Sequence, residues 1–319
     1  MTANKRKNRY TIAFYNVENL FDTVDNPNTF DDDFTPNGKL RWNRKKYGHK
    51  LRKITSVISQ LGNNQSAYPP VIIGLVEVEN AIVVNDLVKH KNLSRFNYDY
   101  VHYDSPDERG IDVALMYNKD FFKVIFSETH SLLLNDEEGG VDYTRDLLVV
   151  KGMLNDEIVY VLVNHWPSRR EGVSETENNR IKAAQLTRSV MDKIKEEEST
   201  SKFIIMGDFN DNPVNKSVEE YLMSDDLYNP MKPLYKRGKG TTTHFKEWHL
   251  FDQIMFSRDF FDEKKSKYTF LDAKIYNRDW LKIFNGKYEG SPFRTFIGPF
   301  YKGGFSDHFP VYITLEKDR

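Results

Sequence analysis

The stretch Phe203-Ile204-Ile205-Met206-Gly207-Asp208-Phe209-Asn210-Asp211 (FIIMGDFND) runs four apolar residues straight into a polar cluster. The apolar part reads as a strand covered on both faces. Near the other end of the chain the order reverses. Ser306-Asp307-His308-Phe309-Pro310 precedes Val311-Tyr312-Ile313. Asp208, Asn210, Asp307 and His308 are therefore expected at strand ends, where a rigid scaffold aims polar groups into a cleft. Two carboxylates, an amide and an imidazole are what metal-assisted attack on a phosphate requires.

Similar β-rich runs recur outward from this pair, at Tyr10–Tyr15, Val71–Val76, Val113–Tyr117, Leu147–Gly152, Ile158–Asn164, Phe251–Phe256 and Pro310–Leu315. Helical stripes fall between some of them. Leu51, Ile54, Ile58 and Leu61 form one; Ala183, Leu186, Val190 and Ile194 form another. Asn80 is placed to cap a helix reaching His90. Strands alternating with helices predict mixed sheets flanked by helices. No Pro/Gly/Ser linker or repeat divides the chain, so residues 1–319 read as one domain.

The 46 basic and 47 acidic side chains leave a net charge of −1, so any anion binding must be local. With no cysteine, disulfides and thiolate metal sites are excluded. No apolar run approaches the ~20 residues of a membrane span. Lys5-Arg6-Lys7 resembles the start of a signal peptide, but strand-like Tyr10–Phe14 follows it. The compartment stays open: secreted or periplasmic if an export signal has been removed, cytoplasmic otherwise.

Leu40 to Lys53 is basic and carries no acid. It reads as a helix with a solvated basic outer face, with a phosphate-binding rim as the alternative. Residues 259–305 are rich in aromatics, including Trp280, Phe284, Phe296 and Phe300. They read as the packing of a long insertion, with stacking on a base or lipid-like group as the alternative.

Each chemistry-bearing residue sits at a recognisable place. Asp208 can orient and deprotonate a water, and Asn210 can fix that water or a phosphate oxygen. His308 needs a carboxylate to raise its pKa and fix its tautomer. Asp307 is its neighbour and would face the other way on a strand, so Asp252, in FDQIMF, is the candidate. His165 ends IVYVLVNH beside Ser168, Arg169 and Arg170, a pattern suited to an anion pocket. Asp112 interrupts an apolar strand and needs a partner, such as His165; Glu108 is its competitor. Arg145 opens a strand and can reach the same pocket. Glu77 and Asn16 end strands and offer oxygen ligands for Mg²⁺, with Mn²⁺ and Ca²⁺ as alternatives. Glu18 and Glu79 lie two residues beyond them and are expected to be solvent-exposed.

Eight pieces in order, FYNVEN, GLVEVEN, RGIDVALMY, YTRDLL, VNHWPSR, GDFND, FDQI and SDHFPV, resemble the endonuclease/exonuclease/phosphatase superfamily, which includes DNase I, AP endonucleases, sphingomyelinases and inositol polyphosphate 5-phosphatases. NVENLFD, DDDFTPNGKLRW and VNHWPSR look most like its bacterial branch labelled predicted extracellular nucleases. The resemblance implies an α/β fold of four layers, with two mixed sheets face to face and helices outside. It implies a divalent-metal-dependent phosphoesterase. It places Asn16, Glu77 and Asp307 at the metal, and His165 and Arg145 on the scissile phosphate. Asp208 and Asn210 fall on the nucleophile, with Asp252 behind His308; Asp112 matches less securely. Arg169 is expected to contact substrate. Glu18 stands where DNase I-like members tend to carry Arg, and Val76 where many carry Gln.

The resulting expectation is a phosphodiesterase acting on nucleic acid, with no obligate protein partner. A phosphomonoesterase or phospholipase of the same fold, acting on a sugar phosphate, inositol phosphate or sphingomyelin, is the first alternative. A catalytically inactive binding module is the second.

Overall fold

The computed structural model describes residues 8–135, 139–170, 172–262 and 264–317. Two six-stranded mixed sheets stack face to face. The first contains β1 (Arg9–Leu20), β2 (Ile72–Val78), β3 (Tyr98–His102), β4 (Asp112–Asn118), β11 (Tyr268–Ile275) and β12 (Val311–Lys317), in the order β11-β12-β1-β2-β4-β3. The second contains β5 (Phe122–His130), β6 (Leu147–Leu154), β7 (Glu157–His165), β8 (Phe203–Asp208), β9 (Leu227–Tyr228) and β10 (Asp252–Ser257), in the order β9-β10-β8-β7-β6-β5. Each sheet has one parallel pair joined by a helical crossover. α1 (Arg44–Ile58) connects β1 to β2, and α3 (Glu177–Glu197) connects β7 to β8. α2 (Ala81–Lys89) follows β2, with the Asn80 side chain accepting from the amides of Ile82 and Val83 as its cap.

Period-2 alternation divides the apolar residues between layers. Ile12 and Phe14 of β1 and Ile204 and Met206 of β8 meet between the sheets. Ala13 and Tyr15 face outward onto Ile54, Val57 and Ile58 of α1. Leu162 and Ile205 face Ala184 and Met191 of α3. The result is helix, sheet, sheet, helix, the four-layered sandwich. Gly74 sets the sheet spacing locally: a Cβ there would stand 2.5 Å from Met206 Sδ in the facing sheet.

All eight expected strands are present, and most run further than their apolar cores. β8 reaches Asp208 and β7 reaches His165. The aromatic segment is less of an insertion than its composition implies. Part of it is β11, which pairs antiparallel with β12 and completes the first sheet. Among the described residues, no helix is long and apolar enough to cross a membrane.

Candidate active site

The alternation that builds the core also aims the polar groups. Ile12 and Phe14 face the space between the sheets, so Asn16, next in phase on β1, faces it too. The same phase carries Val161 and Val163 to His165, Ile204 and Met206 to Asp208, and Ile254 back to Asp252. Glu77 is out of phase. Val76 packs inward, Leu75 and Val78 pack outward, and a register shift lies between Val76 and Val78. Glu77 is the extra residue of that bulge, in the left-handed region at φ 62°. Such a bulge re-aims a side chain at some conformational cost. Here it brings Glu77 to Asn16.

In the second sheet, Asp208 is in register with both His165 and Asp252, so the three stand side by side on adjacent strands. Gly207 permits the close approach, because a Cβ there would meet the Asn164 carbonyl oxygen at 2.4 Å. Asn16 ties the sheets together. Its Nδ2 donates to Glu77 Oε1 at 3.1 Å and to Asp208 Oδ2 at 3.0 Å. Glu77 Oε2 accepts from the Asn19 amide at 2.9 Å. Asn210, left-handed at φ 48°, donates its backbone N–H to Asp208 Oδ1 and its side-chain Nδ2 to the Trp166 carbonyl, each at 3.0 Å.

His308 enters from the first sheet, just ahead of β12. Its Nδ1 lies 2.7 Å from Asp252 Oδ2, and its Nε2 lies 3.8 Å from Asp208 Oδ2. Burial opposes a charged imidazole, but Asp252, Asp208 and Asp307 outweigh it and raise His308 well above its ordinary value. Burial also raises Asp208, to about 6, with Asp252 adding to the rise and His308 opposing it. His165 moves the other way. Burial, then Arg145, Arg109, His308 and Arg170, hold it well below the usual histidine range. Among the described residues, its Nδ1 is buried without a hydrogen-bond partner, as is Asp252 Oδ1.

Several expected residues do other work. Arg169 was expected on substrate but braces the Asn210 loop: Nε donates to the Asn210 carbonyl at 2.6 Å, and the guanidinium pairs with Asp211 and Asn215. Arg145 is buried, with Nη1 on Asp107 at 3.1 Å and Nη2 on the Trp166 carbonyl at 2.9 Å; its Nε has no partner. Asp112 pairs with His102 at 3.2 Å and with Ser105, rather than with His165. Glu18 and Glu79 are buried, not exposed. Burial pushes Glu79 up to about 8.

Glu18 anchors a network that the sequence reading missed. Lys50 of α1, only 1% exposed, donates to Glu18 Oε2 at 3.4 Å, to Thr295 Oγ1 at 2.5 Å and to the Phe305 carbonyl at 2.8 Å. Arg294 bridges Glu18 Oε1 at 3.2 Å and Asp307 Oδ2 at 2.9 Å. The basic segment is thus not wholly solvated. Lys50 sits four residues before Ile54 on the apolar stripe, and that phase was the available signal. Arg109, immediately before Gly110, was also missed; its Nη2 donates to Asn19 Oδ1 at 2.9 Å.

Glu77, Asp307 and the Asn16 amide are hard oxygen donors of the kind that suit Mg²⁺, Mn²⁺ or Ca²⁺. Glu77 makes no ion pair among the described residues; two N–H donors hold it, and Arg170, Arg294 and Lys50 act on its charge only from a distance. That leaves a carboxylate fit for a cation. Asn16 presents nitrogen rather than oxygen to the carboxylates, its Oδ1 accepting from the Glu18 amide; ligation through Oδ1 would require it to turn. Ligating atoms of Asp208, Asp252 and His308 also lie within 4.8 Å of one another.

No curated protein matches the chain. Among solved structures, D. rerio TDP2 complexed with single strand DNA product superposes with a TM-score of 0.60 at 17% identity, covering 97% of this chain and 99% of that one. The human Nocturnin catalytic domain with bound sulfate anion gives 0.58 at 16% identity, over 98% and 96% of the two chains. A Bacteroides thetaiotaomicron mannosyl-6-phosphatase gives 0.56 at 16% identity, over 96% and 99%. These likenesses show the fold. The model of the Endonuclease/Exonuclease/phosphatase family matches residues 11–317, from β1 to β12 and through every side chain placed above. The chain belongs to the endonuclease/exonuclease/phosphatase family.

Proposed function

We propose that this protein is a divalent-metal-dependent phosphodiesterase that cleaves nucleic-acid backbones. Phosphoester hydrolysis is the general activity of its family. The observation that carries the reading is the row His165–Asp208–Asp252 on one sheet, joined through Asn16 to Glu77 on the other and closed by His308. Glu77, with Asp307 and Asn16, would hold the cation. Bound there, it would neutralise charge developing on a phosphoryl oxygen.

The remaining chemistry belongs to the chain. Asp208, held by the Asn210 amide, orients a water for in-line attack and accepts its proton above about pH 6. His308, charged and backed by Asp252, supplies positive charge next to Asp208. His165, kept neutral by burial, offers a hydrogen bond to a phosphoryl oxygen. Arg145 contributes its field from behind the Asp107 pair.

The test is a substrate screen with Mg²⁺, Mn²⁺ or Ca²⁺. Plasmid DNA, RNA, bis(p-nitrophenyl) phosphate, p-nitrophenyl phosphate and sphingomyelin are each offered, with Asp208→Ala as the contamination control. Cleavage of DNA or RNA, steeply weakened by salt, supports the nuclease reading. Turnover of the monoester or of sphingomyelin alone overturns it and leaves the fold's other phosphoesterase chemistries.

A further inference from the structure

We infer that Arg109 and Arg170 form a second phosphate subsite beside the scissile position, so that the substrate carries a phosphate adjacent to the one cleaved. The inference rests on the phosphodiesterase reading and deepens it.

A cavity of about 230 Å³ is lined by Arg109, Arg145 and Arg170 and by the acids Asp107, Glu108 and Asp142; its three arginines all act on His165. Three guanidinium groups share it. Arg145 is committed to Asp107 and the Trp166 carbonyl, although its buried Nε has no partner. Arg109 is held at the cavity by its backbone, whose N–H donates to Asp107 Oδ1 at 3.0 Å. Among the described residues its guanidinium makes one bond, to Asn19 Oδ1. Among the described residues, Arg170 has no ion pair, and its side chain makes no hydrogen bond.

A guanidinium has five donors in a planar fork that matches phosphate oxygens. Most of those on Arg109 and Arg170 are unspent. The two charges also disfavour each other, and Arg109 is the largest influence lowering Arg170. Glu108 and Asp142 also line the cavity, but among the described residues neither pairs with Arg109 or Arg170, so both guanidiniums keep donors for an anion. The location fixes which anion. Asn19 accepts from Arg109 through Oδ1 and donates its backbone N–H to Glu77, so Arg109 lies one residue from the expected metal carboxylate, whose charge also acts on Arg170. Of the three acids that line the cavity, Asp107 is already paired with Arg145.

The experiment compares TpT, which has one phosphate, with TpTpT, which has a second internal phosphate, and pTpT, which has a terminal one. In the wild type, a gain in kcat/KM on TpTpT identifies an internal phosphate as the occupant, and a gain on pTpT identifies a strand end. Arg109→Gln with Arg170→Gln should lower kcat/KM on the favoured two-phosphate substrate about tenfold more than on TpT. An equal loss on all three overturns the subsite. A binding arm without metal stands apart from turnover. The wild type should bind thymidine 3′,5′-bisphosphate about tenfold more tightly than thymidine 5′-monophosphate by calorimetry, and the double variant should lose that gap. If none of the three substrates is hydrolysed, the diesterase reading fails and the binding arm alone decides the subsite. A gap that persists in the variant, or is absent from the wild type, overturns it.

Discussion

Asp252, in the second sheet, and His308, just ahead of β12 of the first, are 56 residues apart in sequence and joined by a 2.7 Å contact between Oδ2 and Nδ1. Asp252 is wholly buried, and among the described residues its other oxygen has no partner. The bond fixes the ring so that Nε2 turns to Asp208. Asp252→Asn keeps the shape but removes the charge that holds His308 protonated. Turnover is expected to fall by about a hundredfold or more, with little change in KM. The alkaline limb of the kcat profile should move to lower pH, because the raised His308 pKa is lost. An unshifted limb at wild-type turnover would remove His308 from the mechanism.

Asp208→Ala should leave the far-ultraviolet spectrum and the melting transition close to wild type while lowering turnover by about 10²–10⁴. Both oxygens of Asp208 are occupied by donors from Asn16 and Asn210, so the side chain is pre-positioned rather than recruited. In the wild type, kcat/KM should rise through about pH 6 as Asp208 ionises. Full activity in the purified variant would dismiss this residue as the water-orienting group.

The strands were legible because apolar residues at i, i+2 and i+4 continue in phase into the polar residue that follows. Met206 to Asp208 and Val163 to His165 show it. The helix cap at Asn80 was legible for a similar local reason. What escaped was non-local or broke phase. Glu77 reaches the site only through its bulge, which apolar periodicity does not report. Glu18 looked like a surface acid because its partners, Lys50 and Arg294, are 32 and 276 residues away. Arg169 looked like an anion ligand because its sequence neighbours are basic, whereas its partners lie on the Asn210 loop.

Glu77→Gln tests the proposed cation position. The amide keeps an acceptor for the Asn19 N–H but removes the unpaired charge. The variant should need about tenfold or more Mg²⁺ for half-maximal activity. Chelation with EDTA should abolish wild-type activity, and Mg²⁺ should restore it. Activity that survives chelation would contradict metal dependence.

Lys50 and Glu18 form a buried pair that also anchors Thr295 and the Phe305 carbonyl. Removing Lys50 strips buried Glu18 of one of its two cations and leaves Arg294. Lys50→Met is therefore expected to cost less than a fully stranded charge, roughly 1–3 kcal/mol in urea unfolding. The double replacement Glu18→Gln with Lys50→Met should recover much of that cost, since neither charge is then stranded. Simple additivity of the two changes would show that the groups do not interact.

Asp226, far from the catalytic row, gives a pH-dependent stability with a definite sign. Arg188 grips it with Nη1 on Oδ1 and Nη2 on Oδ2, each at 2.9 Å, and Lys195 adds a second cation from the same helix, α3. Burial works against its ionisation, but Arg188, Lys195 and Ser224 outweigh it and hold the carboxyl well below the usual range. Folding therefore favours the ionised form. That stability is fully present above the ordinary carboxylate pKa of about 3.9 and is lost as pH falls through the depressed folded value. Asp226→Asn should be less stable than wild type by about 1–2 kcal/mol at pH 7. The gap should narrow as the pH drops below about 3.9 and close only in stronger acid. Urea unfolding of both proteins across that range measures it, and a gap that stays constant in acid would mean the Arg188 grip contributes through packing rather than charge.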